Sequence, residues 1–86
     1  MPELCRFYGI IIRMFYGDHA PPHFHAVYQG GEIKVNIHTL EVMEGVMARR
    51  AQVLVLEWAA LHRTELRQAW ELASTNKEPS KIAPLE

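Results

Sequence analysis

Near Met47 the spacing of apolar residues changes from a strand period to a helix period, and that change limits the chain to few architectures. From Cys5 to Met43 the sequence is rich in β-formers. The run Phe7, Tyr8, Ile10, Ile11, Ile12, Phe15 and Tyr16 reads as one long strand, with Gly9 as a bulge or bend. The Ile triplet makes both faces apolar, as in a strand covered on both sides. A loop follows over 17–23, where Pro21-Pro22 cannot donate to a sheet ladder. Phe24 to Tyr28 predicts a second strand, and Gln29-Gly30-Gly31-Glu32 a tight turn. In the third strand, Glu32 to His38, Ile33, Val35 and Ile37 alternate with polar residues, and Glu41 to Met43 adds a short fourth.

Beyond Met47, Ala51, Leu54/Val55, Trp58, Leu61/His62, Leu66, Ala69/Trp70 and Ala73 recur at helical spacing. The pattern predicts one long helix over 47–74, with a kink near His62-Arg63-Thr64 as its main rival, and a tail over 75–86. The expected fold class is α+β: an antiparallel β-meander of three to four strands over 5–43, with one C-terminal helix packed on one face. At 86 residues this is a single domain.

Composition excludes several classes. With 49% hydrophobic residues the chain is globular rather than disordered. No apolar run approaches the roughly 20 residues of a membrane helix, and the N-terminus lacks the organisation of a signal peptide. The lone Cys5 cannot form an internal disulfide. A cytoplasmic location follows as the expectation. A net charge of −1 supplies no global field for nucleic acid, and no helix-turn-helix pattern supports sequence-specific DNA binding. Six of the nine basic residues are arginines, whose forks suit phosphate or carboxylate partners. Arg6, Arg49 and Arg50 are the candidate partner or phosphate contacts, and RNA is an admissible partner.

Chemistry concentrates in Asp18-His19-Ala20-Pro21-Pro22-His23-Phe24-His25, which holds three of the five histidines. Imidazole titrates nearest neutral pH and is a common metal ligand. His23 and His25, two apart in an extended segment, leave the same face about 7 Å apart. With Asp18 or His19 they form a candidate site for a divalent transition metal such as zinc, open to water. The plainer alternative is that these rings cap the hairpin end and bond backbone groups freed by the prolines. A metal-free alternative makes His19, His23 or His25 a general base. Arg13 or Arg6 would then stabilise negative charge and Tyr8, Tyr16 or Tyr28 donate a proton, as in a small ribonuclease. His62, Glu57, Trp58 and Trp70 read as structural.

The run from Arg6 through Phe7-Tyr8-Gly9 to Tyr16, followed by Asp18-His19 and Pro21-Pro22-His23-Phe24-His25-Ala26, resembles a bacterial family of small proteins known as a domain of unknown function. Arg49-Arg50-Ala51, Leu56-Glu57-Trp58, His62-Arg63 and Glu65-Leu66 extend the resemblance. It implies a stand-alone bacterial domain, often encoded beside another small protein in a layout similar to toxin–antitoxin pairs, and it carries no catalytic residues over. Excess apolar surface on the first strand and the helix points the same way, to self-association or a cognate small protein encoded nearby. The expected function is therefore a protein-interaction module, one half of such a pair. The alternatives are a ribonuclease or metal-dependent hydrolase using the histidine loop, and a metal-binding regulator.

Overall fold

A computed structural model describes residues 2–86. Five strands run in sequence order, β1 (Glu3–Phe7), β2 (Ile10–Arg13), β3 (His23–Tyr28), β4 (Gly31–Asn36) and β5 (Val42–Val46), each antiparallel to its neighbour. Two helices follow, α1 (Arg49–Leu61) and α2 (Arg63–Ser74).

This corrects the expected count of three to four strands. The long first strand is a hairpin: Tyr8 (φ 48°) and Gly9 (φ 80°) both take left-handed backbone, and Phe7 pairs with Ile10. Two consecutive positive φ values make a turn whose twist matches the strands it joins. Gly9 adopts that conformation freely, whereas Tyr8 is held there by the pairing on either side. The apolar Ile triplet thus belongs to β2, central in its pairing with β1 and β3, rather than to one long strand.

The single long helix is also corrected. His62 (φ −124°, ψ 28°) leaves helical geometry, and its N–H donates to the Ala59 carbonyl at 3.2 Å, tightening the last turn of α1. A second helix begins there because Glu65 lies in the first turn of α2, where a carboxylate suits the helix dipole, and accepts from His62 Nδ1 at 2.7 Å. The apolar face continues across the break, which is why periodicity alone does not reveal it.

Cross-strand pairs Phe7/Ile10, Ile12/Ala26, Phe24/Val35 and Ala26/Ile33 bury one face of the sheet. The helices cover it through Ala51, Val55, Trp58, Ala59, Leu66, Ala69 and Ala73. Trp58, fully buried, lies 5.7 Å from the Phe7 ring and 5.9 Å from that of Phe24. The tail packs too: Ala83 accepts from Trp58 Nε1, Ile82 is buried, and its N–H reaches the Leu4 carbonyl.

The opposite face carries a row of cross-strand neighbours, Arg13, His25, Lys34 and Glu44. Beyond it β5 approaches β4 closely at Gly45, where φ is +93° and a Cβ would lie 2.1 Å from the Glu32 carbonyl oxygen. Gly45→Ala should therefore destabilise the fold by about 2–4 kcal/mol, read as a lower denaturant midpoint with unchanged slope. A midpoint like the parent's would show that β5 shifts without cost.

Candidate metal centre

The loop between β2 and β3 is anchored at both ends. Met14 is fully buried, the Gly17 N–H donates to the Ala73 carbonyl at the end of α2, and the Pro22 carbonyl accepts from the Ile37 N–H. The loop folds Asp18 back over the start of β3. There Asp18, His23 and His25 each offer one ligand atom, all within 4.8 Å of one another. Asp18 Oδ2 is 2.9 Å from His23 Nε2 and 3.7 Å from His25 Nε2. A zinc ion held tetrahedrally at ~2.0 Å from each donor needs donors about 3.3 Å apart, and these two separations bracket that value.

The far side of each ring fixes its tautomer. His23 Nδ1 lies 2.7 Å from the Pro21 carbonyl, and His25 Nδ1 lies 3.0 Å from Glu32 Oε2. Neither a carbonyl nor an ionised carboxylate can donate, so each Nδ1 carries a hydrogen and each ring turns its Nε2 toward Asp18, that of His23 within hydrogen-bond distance of Oδ2. A bare nitrogen beside a carboxylate oxygen repels it. A proton or a cation between them makes the contact favourable. His25 Nε2 is buried and has no hydrogen-bond partner within the protein. A histidine whose other nitrogen donates to a carboxylate or backbone carbonyl is the usual arrangement of a metal ligand.

Burial is the largest influence on His25 and pushes its pKa down, as does the charge of His23, while the hydrogen bond it donates to Glu32 opposes them without cancelling. At Asp18 burial pushes up, but the His19 N–H together with His23 and His25 outweighs it and holds the carboxyl below its ordinary value. The site thus favours a neutral imidazole and an ionised carboxylate, the forms that bind metal. Both depressed values mean that the unfolded chain binds more protons than the folded one. The associated stability is fully present above about pH 6.5, declines as pH falls through the lower value of His25, and declines again below about 3.8 through that of Asp18. Melting temperatures of the metal-free protein should accordingly fall between pH 7.5 and 5, with a shallower fall in His25→Gln. Parallel curves for the two proteins would exclude His25 as the cause.

Other sequence candidates lie apart from this cluster. His19 is exposed and contributes its backbone N–H to Asp18 Oδ1 at 2.8 Å. Arg6 is exposed and paired with Glu3 at 2.8 Å, and Arg49 and Arg50 are exposed at the start of α1. Tyr8 and Tyr16 are exposed, and Tyr28 packs against the core. Burial pushes the Cys5 thiol up to about 12, with Glu3 adding to it, which leaves Cys5 protonated and inert. Arg13 does reach the neighbourhood: its Nη2 donates to Glu32 Oε1 at 3.2 Å, beside the bond that His25 Nδ1 donates to Glu32 Oε2.

Sequence reasoning missed Glu32 and Trp70. The signal for Glu32 was present in the two-residue turn Gln29-Gly30, which pairs Tyr28 with Gly31. Counting back sets His25 opposite Lys34 and diagonal to Glu32, within reach of a long side chain. Trp70, whose ring lies 5.1 Å from that of His23, had no such signal, since its position depends on how α2 meets the loop.

A family model described as Domain of unknown function (DUF4160) matches residues 9–71, a span that includes Arg13, Asp18, His23, His25 and Glu32. No curated protein and no solved structure matches the chain.

Proposed function

This chain belongs to the family described as Domain of unknown function (DUF4160), and from that premise we propose that it is a metal-dependent hydrolase centred on Asp18, His23 and His25. The observation that carries this reading is the pair of inward Nε2 atoms converging on one carboxylate, with His25 Nε2 buried and unpartnered. Two histidines and a carboxylate suit zinc or iron(II), and three protein ligands leave positions open to water and substrate. When bound, a divalent ion supplies a Lewis acid and lowers the pKa of water toward neutrality. The protein's part is to hold the three donors, through Pro21 and Glu32 behind the rings and His19 behind the carboxylate.

Metal analysis after chelator-free purification, followed by zinc titration of the stripped protein, tests the reading. One equivalent bound by the parent, and none by the His23→Ala/His25→Ala double variant, is the expected outcome. A folded protein that takes up no divalent metal would sink it.

A second reading is a protein-interaction module, one component of a bacterial toxin–antitoxin-like pair acting in the cytoplasm with a cognate small protein or a second copy. It is favoured by exposed Val53 and Leu61 on α1 and by Val46, 82% exposed on the edge strand β5. No helix is long and apolar enough to cross a membrane among the described residues. Co-expression with the neighbouring gene product tests this reading; a strictly monomeric protein that ignores that product would count against it.

A further inference from the structure

We infer that Arg13 is the anion-binding residue of this centre and that its ligand class is the phosphoryl oxyanion, an inference that rests on the metal reading above. Among the described residues, two buried side-chain polar atoms have no hydrogen-bond partner: Arg13 Nε and His25 Nε2. They belong to residues paired directly across β2 and β3. Their needs are opposite. The imidazole nitrogen, its hydrogen committed to Glu32 through Nδ1, offers a lone pair to a cation. The guanidinium N–H requires an acceptor, and an unmet buried donor is costly. A cation with an attached oxyanion satisfies both, one oxygen on the cation and another on Arg13.

The guanidinium is already placed for that role. Glu32 holds Nη2, and the Phe15 ring, which also lies edge-on to His25 at 4.5 Å, sits 5.9 Å from the guanidinium carbon. The side chain as a whole is 27% exposed, so it joins the interior to solvent. Charge agrees as well: with a divalent cation in place, Asp18, Glu32 and Arg13 leave a surplus of one positive charge, which an anion neutralises. A planar fork with several donors suits tetrahedral oxyanions.

The test uses the full chain loaded with cobalt(II), whose visible spectrum reports its coordination. Inorganic phosphate is titrated into the parent, Arg13→Met and Arg13→Lys, and a short oligoribonucleotide is titrated in parallel. Saturable spectral change in the parent is expected, weakened at least about tenfold in Arg13→Met and less in Arg13→Lys, with cobalt affinity within about threefold throughout. Tighter binding of the oligoribonucleotide assigns the phosphoryl group to RNA; tighter binding of phosphate assigns it to a small molecule. Either supports the oxyanion. Loaded parent that ignores both anions, or anion affinity unchanged in folded Arg13→Met, overturns the role of Arg13 while leaving the metal site standing. A parent that binds no cobalt or zinc removes the metal reading and this inference with it. If Arg13→Met fails to fold, the comparison of parent with Arg13→Lys decides: equal anion affinity overturns the role.

Discussion

Alanine in place of His25 should lower zinc affinity by at least about a hundredfold, and glutamine in place of Glu32 by about ten- to a hundredfold. The two losses have different origins. His25→Ala removes a donor from a set of three, leaving Asp18 and His23, whose Oδ2 and Nε2 lie 2.9 Å apart. Glu32→Gln removes no donor atom. It replaces a charged acceptor behind Nδ1 with a neutral amide, so the ring loses part of its basicity and its fixed tautomer, and Arg13 loses an ion pair at 3.2 Å. Competition titrations with a chromophoric chelator give both constants. If Glu32→Gln binds zinc as the parent does while His25→Ala does not, the carboxylate is an ordinary surface ion-pair partner. If His25→Ala also binds as the parent does, the ring is structural.

Trp58→Ala should cost about 3–5 kcal/mol of folding stability, the most severe loss of any single core replacement here. Trp58 is the largest of the fully buried side chains and stands between the sheet rings Phe7 and Phe24 on one side and the tail on the other. Its removal leaves a cavity at the junction of three segments and strands the Ala83 carbonyl that accepted its N–H. A chain of this length holds roughly 4–13 kcal/mol in total, so the loss removes a large share of the stability. Urea denaturation followed by far-ultraviolet dichroism measures the loss. A cost below about 1 kcal/mol would mean that the layers close over the gap.

The β-to-α order of the chain was legible in the sequence, as were the Gln29-Gly30 turn and the loop containing Asp18, His23 and His25. The errors have physical causes. Tyr8-Gly9 is a turn in which a tyrosine takes positive φ, against its own preference, because the pairing of Phe7 with Ile10 over-determines it. Sequence that favours extended backbone cannot reveal that. The break at His62 was hidden because burial needs the same apolar spacing from one helix or two. The local cue, Glu65 three residues after His62, is weak beside that spacing. Within the loop, the spacing of His23 and His25 gave their common face. Only the fold shows which nitrogen of each ring turns inward, since Pro21 and Glu32 decide it.

The amide of Gly17 hangs on Ala73, and the indole of Trp70 lies against His23. The donor loop is therefore fastened to the last helix as well as to its own strands, and peeling that helix away would scatter the donors. Whatever lodges among them clamps both layers together, and saturation of the loop becomes a measure of domain integrity by mass action.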